Sequence, residues 1–480
     1  MLLNKVSFQD ARKLILFPIL LLIFCSVSWA IAQNNYYIIV GLMGIGLFLL
    51  LFNNIYKSIY VLFFGLFLFD WLSEKWFLIP TQITWLPELL SIVVISYILL
   101  SFVKYKKVPL EAPYLLVYVF TALTFLGIIL NKVDAPVAIT GVRNHLKFLP
   151  FFLLPFYYEF SDDFMKKFVK FILFFSFLQC PIAILQRLFF ETGSGDPIGG
   201  TLGANTSGIL SLFCSFMIII WTAYYFKYQL KSRNYLLGLI ILFLPMALSE
   251  TKISVFLIPL IFFSIIFFIP EAKRKTRYFI FIFISIIILL GTYRFIYNYY
   301  YAKTPQSTIE NYIINPKKSL DYIYHIEYTP SGELNRIPQL IFAYKSISND
   351  LKHFLFGVGA GNASDSFFRA GVGEHYRKYA VLGIDDIFVG NMLWEYGLVG
   401  TLLYFLIGTF MFVTVFSLRK RELIKGTIAI GFLGISIVLL SSIVYLNTMR
   451  VNIYLYFYWF LAGYLMNLYY YKPCPSPKII

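Results

Sequence analysis

Two adjacent carboxylates, Asp385 and Asp386, stand just before a long apolar run that begins near residue 391. A carboxylate at such a place could serve as a general base toward a hydroxyl group. Aspartate is also favoured at the first position of a helix, where its side chain caps backbone N–H groups. Two neighbouring aspartates allow one residue for each role, and we expect Asp386 to be the functional one.

Basic residues within or beside apolar helices form a second unusual group. We predict Arg143 at the start of a helix, with His145 and Lys147 one helical stripe below it, while Arg187 ends a helix and Lys252 begins one. Burying such charges in a membrane is costly, so they usually face a cavity and a partner. They can instead extend to the lipid headgroups. Function is favoured for Arg143 and Lys252, and both interpretations stay open for Arg187.

The glycine-rich turn Phe356-Gly-Val-Gly-Ala-Gly361 should not be mistaken for a nucleotide-binding loop. It lacks the following Lys-Ser/Thr and the strand–turn–helix context that such loops need. Close backbone packing, or backbone N–H donors to a phosphate, is the favoured use. His375, beside Glu374, is a candidate acid or base, and a solvated loop histidine is the simpler interpretation.

The stretch Gly199-Gly-Thr-Leu-Gly-Ala-Asn205-Thr-Ser-Gly208 precedes another apolar run. Small residues and Asn205 at a helix start suit recognition of an anion or a hydroxyl. They suit a plain helix cap with close packing equally well. No His, Cys or carboxylate pair stands at a metal-ligand spacing, so we predict neither a metal site nor a cofactor.

The amino-acid composition predicts the kind of secondary structure that carries these residues. Of 480 residues, 59% are hydrophobic and only 13% are charged, and a soluble protein cannot bury that much apolar surface. The apolar runs are continuous rather than alternating, which predicts an all-α, polytopic integral membrane protein. The net charge of +16 does not imply a nucleic-acid partner, because the cations concentrate in alternate short loops, as the positive-inside rule requires.

Fourteen apolar runs are long enough to cross about 30 Å of hydrocarbon. They lie near 14–32, 36–53, 58–72, 86–103, 113–130, 139–158, 165–189, 205–226, 234–248, 252–270, 277–296, 391–417, 426–446 and 451–470. Residues 1–296 thus hold eleven spans, 297–390 form one long loop, and 391–480 hold three spans and a tail. The cation pattern places both termini in the cytoplasm and the long loop outside. Apolar residues at helical spacing, Ile337, Leu340, Ile341, Tyr344 and Ile347, predict an amphipathic helix within that loop.

The order of these motifs resembles that of the bacterial O-antigen ligase and Wzy-type O-antigen polymerase superfamily. Gly-Thr-x-Gly-x-Asn at 200–205 precedes a helix, and Ser-x-x-Lys at 249–252 opens one. After the long loop begins come Arg336, the amphipathic helix, Gly-Val-Gly-x-Gly, and Glu-x-Gly-x-x-Gly at 395–400. In ligases a His stands nine residues before that Glu. Here the position is Asp386, followed by Ile387, and polymerase-like members often have Asp there.

The resemblance implies a metal-independent glycosyltransferase of the cytoplasmic (inner) membrane that joins undecaprenyl-diphosphate-linked repeat units on the outer side. Asp386 would be the base, and Arg336 and Lys252 would be the catalytic cations that stabilise the diphosphate leaving group. No cofactor is implied, because the donor already carries its leaving group. Residues implied to bind the diphosphate or the glycan are Arg143, Arg187, Asn205, Asp385 and His375. The implied partners are the lipid-linked oligosaccharide, the lipid membrane and a chain-length regulator protein.

Three other functions stay open. An O-antigen ligase would move the lipid-linked glycan onto lipid A-core or a protein. A flippase or transporter should carry charges in the middle of its helices and show repeated halves, whereas here the charges gather at the predicted outer face and no repeat is visible. A membrane scaffold without catalysis would leave the outer cations unexplained.

Overall fold

The computed structural model describes residues 54–74, 84, 86–189, 198–203, 206–249, 251–270, 275–300, 308–309, 332, 334–366 and 369–471. The chain divides into two compact units, one ending at Ser101 and the other beginning at Phe102. Every regular element in the described residues is helical, which confirms the predicted all-α class. The predicted spans at 14–32 and 36–53, and the candidate residue Asn205, lie outside the described residues.

Sixteen α-helices are described, and a helix or a pair of helices occupies each predicted span from 58–72 onward. In chain order they are α1 Ile55–Glu74, α2 Leu86–Tyr105, α3 Ala112–Leu130, α4 Ala135–Leu146, α5 Leu149–Tyr157, α6 Asp162–Phe189, α7 Ser207–Tyr228, α8 Ser232–Leu248, α9 Ser254–Phe268, α10 Lys275–Tyr300, α11 Arg336–Ile347, α12 Leu351–Phe356, α13 Glu374–Tyr379, α14 Phe388–Leu418, α15 Leu423–Ser442 and α16 Asn452–Tyr470.

Seven of the described helices are long and apolar enough to cross a membrane: α1, α2, α3, α6, α7, α14 and α15. Large apolar side chains also cover outward faces of the helices, for example Ile129 at 71% exposure, Phe267 at 71% and Val413 at 65%. Monomeric soluble proteins rarely expose extensive apolar surface of this kind. These helices indicate a membrane-embedded protein.

Three helices form the interior of the second unit. Every residue from Ile453 to Met466 in α16 is buried, as are residues 211–220 of α7 and 426–435 of α15. Helix α15 packs on α7 and α9, and α16 packs on α5. A helix that is apolar on all sides belongs in such an interior, whereas α3 and α6 each keep one face outward.

The predicted span at 139–158 is two helices rather than one. Helix α4 ends at Leu146, a turn follows, and α5 begins at Leu149 with a proline, Pro150, in its first turn. Proline has no N–H and suits a helix start, so the chain restarts there. Arg143 therefore lies in the last turn of α4 and not at a helix start. His145, two residues further on, cannot share its stripe, because residues two apart on a helix do not face each other.

The predicted span at 391–417 also differs, because α14 bends sharply at Gly397. That residue has φ +61° and ψ −160°, a conformation that only glycine adopts readily, and it separates helical segments 388–396 and 398–418. Sixteen residues of straight helix would put Phe388 and Tyr404 about 24 Å apart along the axis. Their ring centroids are 5.1 Å apart, so the first segment folds back beside the second.

The predicted amphipathic helix exists as α11, although its packed face differs from the predicted one. The residues buried along it are Pro338 and, at four-residue spacing, Gln339, Ala343 and Ile347, whereas Ile341 and Tyr344 are about half exposed. Ala343 and Ile347 belong to a small core around the buried ring of Trp394. Residues from α11, the segment after α12 and the start of α14 thus share one small apolar core.

Candidate functional site

A short segment following α12, residues 357–366 and here called the glycine segment, is joined to the bend in α14. The bend frees two backbone carbonyls of the first helical segment. The N–H of Val358 donates to the carbonyl of Trp394 at 2.7 Å, and the N–H of Gly359 donates to the carbonyl of Glu395 at 3.2 Å. The glycine segment therefore supplies the backbone partners that the interrupted helix lacks.

Close approach of backbones explains the glycines of this segment. A Cβ on Gly357, which has φ +70°, would lie 2.4 Å from the carbonyl carbon of Glu395. A Cβ on Gly361, which has φ +91°, would lie 2.2 Å from the carbonyl oxygen of Val137 in α4. Close backbone packing, one of the two uses predicted for this turn, is the one found here.

The carboxylate of Glu395 receives four hydrogen bonds and is almost fully buried. The Gly361 N–H donates at 2.8 Å, the Ala363 N–H at 3.2 Å and the Ser364 hydroxyl at 2.5 Å. The Nε2 of His145 lies 2.6 Å from the same carboxylate. Because an ionised carboxylate can only accept, the imidazole is the donor. The N–H donors of the turn thus meet an anion that belongs to the protein.

Sequence reasoning did not select Glu395 or assign His145 a partner. The available signal was a lone glutamate within an apolar helix, which in a membrane protein usually has a partner and a function. The partner could not be read from the sequence, because 250 positions separate the two residues. Their pairing links α4, the glycine segment and α14 at one point.

Asp385 is held firmly by groups from two neighbouring loops. The Arg450 guanidinium donates to its carboxylate at 2.5 Å, and the two side chains are only 22% and 12% exposed. The amide of Asn447 donates to the backbone carbonyl of Asp385 at 2.7 Å, and the Asp365 N–H donates to its side chain at 3.4 Å. Asp385 therefore joins the glycine segment to the loop before α16.

Asp386 differs from its neighbour in exposure and in partner. Its carboxylate lies 4.0 Å from the guanidinium of Arg336, and about 38% of each side chain is open to the surroundings. The Arg336 guanidinium also lies 5.5 Å from the ring centroid of Tyr445. The backbone N–H of Asp386 donates to Gly383, which closes a turn before α14. The structure thus brings the predicted base and one predicted catalytic cation together.

The competing interpretation of Asp386 as a helix cap does not agree with the geometry. The first residue of α14 is Phe388, and the capping position belongs to Ile387, with no side-chain cap bond. The N–H groups of Phe388 and Val389 donate instead to the carbonyls of Leu446 and Ile443, each at 3.3 Å. Backbone carbonyls of the turn after α15 satisfy this helix start, so the Asp386 carboxylate does not cap it.

Lys252, the third predicted catalytic residue, lies in the turn between α8 and α9. The hydroxyl groups of Ser211, Ser249 and Thr251 meet beside it within 3.2 Å of one another, and all three residues are buried. The Tyr293 hydroxyl donates to the backbone carbonyl of Thr251 at 2.9 Å. Lys252 thus follows a buried cluster of hydroxyl groups and is itself partly exposed.

Two predicted binding cations occupy different surroundings. Arg143 is exposed in the last turn of α4, and Lys147 just beyond the helix donates to the carbonyl of Arg450 at 3.0 Å. The end of α4 therefore contacts the residue that holds Asp385. Arg187 stacks 4.3 Å from the ring centroid of Tyr300 and borders an apolar pocket of about 270 Å³ between α6, α8 and α10.

His375 is partly buried rather than solvated, which corrects the simpler of its two interpretations. Its ring centroid lies 5.6 Å from that of Trp394. Burial lowers the pKa of this imidazole below its ordinary value, because the charged form loses solvation, and His353 and Lys378 add to the effect. His375 is therefore suited to stay neutral in the folded protein.

The described part of the stretch at 199–208 is fixed by two buried glutamines of α6. Gln186 exchanges hydrogen bonds with the backbone of Gly200, and Gln179 bonds both the backbone N–H and the hydroxyl of Thr201. The Thr206 hydroxyl donates to Gly203. These bonds support the close-packing interpretation for the described residues, and Asn205 lies outside them.

The predicted residues that meet at the start of α14 are Arg336, Asp385 and Asp386. Lys252, Arg187 and His375 lie on other elements. A guanidinium beside an exposed carboxylate can bind an anion and accept a proton at neighbouring positions. Compared with known proteins, the sequence matches no protein-family model and no curated protein.

Proposed function

We propose that the protein is a polysaccharide polymerase, a glycosyltransferase that joins undecaprenyl-diphosphate-linked repeat units of O-antigen or capsular type. It acts at the outer face of the cytoplasmic (inner) membrane, with fourteen spans, both termini in the cytoplasm and residues 297–390 outside. The order of the sequence motifs and the alternation of cations between loops support the proposal. A chain-length regulator protein is a proposed partner.

The observation that carries the proposal is the pairing of Arg336 with Asp386. Arg336 is the first residue of α11, where a cation opposes the helix dipole at a cost of about 0.3–1 kcal/mol. An ion pair as exposed and as long as this one contributes only about 0–1 kcal/mol. Asp386 does not cap α14. Arg336 and Asp386 thus meet, partly exposed, beside the starts of α11 and α14, and we assign both to substrate.

The two residues match the two groups whose charge changes during glycosyl transfer, namely the acceptor hydroxyl and the diphosphate. The hydroxyl oxygen of the acceptor sugar attacks the anomeric carbon of the donor, and the bond from that carbon to the diphosphate oxygen breaks. The hydroxyl proton passes to the carboxylate of Asp386 as the new bond forms. The diphosphate leaves with the bonding electron pair, and Arg336 stabilises its growing negative charge.

Other cations have supporting places in this proposal. Arg143, in the last turn of α4, and Lys252, in the turn before α9, would bind diphosphate oxygens of the donor or the acceptor. Arg187 would bind a lipid-linked unit beside the apolar pocket that it borders. Asp385 and Arg450 would hold Asp386 in place rather than contact the sugar.

Reconstitution of the purified protein with lipid-linked repeat units tests the proposal. A polymerase converts these units into a ladder of longer lipid-linked chains without nucleotide, and releases lipid diphosphate for each bond formed. In cells, loss of the gene should leave single repeats where chains stood before. Transfer of intact chains to a separate acceptor, with no lengthening, would show that the protein is a ligase rather than a polymerase.

A further inference from the structure

Glu395 is the most heavily bonded buried charge in the described residues, and the glycosyl-transfer steps make no use of it. It lies nine residues after Asp386, at the other end of the first helical segment of α14. Taking a carboxylate out of water is expensive unless hydrogen bonds replace the solvent. Four donors do so here, one from α4 and three from the glycine segment.

The glycine segment runs along this helical segment from the bend toward Asp385. Its first residues bond the backbone carbonyls of Trp394 and Glu395. Further along, the amide of Asn391 donates to the carbonyl of Ala363 and the hydroxyl of Ser364, each at 3.3 Å. Finally the Asp365 N–H reaches the carboxylate of Asp385.

Arg450 makes the last hydrogen bonds of this series. Its guanidinium bonds the carboxylate of Asp385 and, at 3.4 Å, the backbone carbonyl of Asp365. Ser364 bonds Glu395, the adjoining residue Asp365 bonds Asp385, and the two carboxylates are thereby connected through the glycine segment. The residue that follows Asp385 in the chain is Asp386.

We infer that Glu395, oriented by His145, is a positioning residue that fixes the glycine segment and, through Asp365 and Asp385, the place of the Asp386 carboxylate. The role of Glu395 in turnover rests on the proposed function of Asp386. Glu395 touches no reacting atom. A displacement of about 1 Å at a catalytic group can reduce a rate on the order of 100-fold, which gives such a residue a measurable effect.

A buried glutamate can also serve stability alone, and the substitutions must separate the two roles. Glu395→Gln keeps the shape of the side chain but replaces one carboxylate oxygen by an amide, which cannot accept the N–H bonds of the segment. His145→Gln retains an N–H donor, and His145→Phe has none. Glu374→Gln is the matched control, because it removes the same charge from an exposed glutamate in α13.

Hydrogen–deuterium exchange of the purified protein is the first measurement, since it requires no substrate. We expect Glu395→Gln to speed amide exchange in peptides covering 357–366 and 383–388, while α16 and α7 exchange as in the wild type. His145→Phe should do the same, His145→Gln should do so less, and Glu374→Gln should change nothing there. Unchanged exchange at 383–388 in Glu395→Gln would overturn the inference, as would equal loss of protection throughout the protein.

The second measurement is a double-mutant comparison of polymerisation rates. Glu395→Gln alone should lower kcat by about 10- to 100-fold with little change in KM. When Glu395→Gln is combined with Asp386→Asn, kcat should fall almost no further, because the residue that Glu395 positions is already lost. Fully additive losses of kcat in the double variant would contradict a positioning role for Glu395. If Asp386→Asn polymerised normally while the exchange result held, the proposed function would fail and the structural link would stand.

Discussion

Arg336 faces Asp386 across 4.0 Å, and neither side chain stabilises the helix start beside which it lies. Arg336 opposes the dipole of α11, and the first N–H groups of α14 bond backbone carbonyls rather than the Asp386 carboxylate. The pair therefore lies beside the starts of two helices without capping either of them.

Removing the Arg336 charge should abolish polymer without unfolding the protein. Arg336→Gln loses a weak ion pair and an unfavourable interaction with the helix dipole, so stability should change by less than about 1 kcal/mol. Lys345→Gln is the control, because it removes a charge from the favourable last turn of the same helix. Thermal unfolding and polymer assays of both variants measure the effect. A large loss of stability in Arg336→Gln, with proportionate loss of polymer, would make the residue structural.

Asp385 should behave in the opposite way to its neighbour. Asp385→Asn leaves the partly buried Arg450 guanidinium without its charged partner, which should destabilise the protein by about 1–3 kcal/mol. Asp386→Asn should change stability by less than about 0.5 kcal/mol, as an exposed substitution usually does. Thermal unfolding in one detergent compares the two variants. Equal stability of both would show that the Asp385–Arg450 pair is not needed for the fold.

Gly383 should be required for the position of the Asp386 carboxylate. A Cβ there would lie 2.3 Å from the carboxylate oxygen of Asp386, and the residue has φ +69°. Gly383→Ala should therefore lower polymer formation at least about 10-fold and reduce stability by about 1 kcal/mol. Gly408→Ala is the control, because nothing lies within 4 Å of its Cβ position in α14. Wild-type polymer from Gly383→Ala would show that the carboxylate has room to move.

The stability of the protein should fall on acidification in part because of His375. Burial lowers the pKa of this imidazole in the folded state, so the unfolded state binds more protons below the ordinary pKa of about 6.5. The stability present above that pH is lost as pH falls toward the lowered folded pKa. His375→Gln should remove this contribution, and its unfolding temperature should decline less than that of the wild type between pH 7.5 and pH 5. Parallel declines would contradict it.

Sequence periodicity was sufficient for much of the architecture. Continuous apolar runs predicted a helix at every described span, and the spacing of apolar residues predicted α11 within a loop. The packed face of α11 was missed, because Gln339 is buried while Ile341 and Tyr344 are exposed. Local pattern identifies a helix, whereas the surface it meets depends on residues far along the chain.

The interruptions and the buried links could not be predicted in the same way. Gly397 looked like one small residue in an apolar helix, and only its backbone angles show the bend. The partnership of His145 with Glu395 joins elements 250 residues apart. Asp385 and Asp386 are the same residue type at adjacent positions, and only the structure shows that one pairs closely with Arg450 while the other lies, more exposed, 4.0 Å from Arg336.

We propose that Asp386 accepts the proton of the attacking hydroxyl, and the variant Asp386→Asn tests this claim. The amide keeps the size of the side chain but cannot take up a proton, and loss of a general base typically lowers a rate about 10²–10⁴-fold. Asp350→Asn is the matched control, because asparagine caps α12 as well as aspartate does. Chain length on gels should show single repeats only for Asp386→Asn at normal protein level, and full ladders for Asp350→Asn. Normal ladders from Asp386→Asn would contradict the claim.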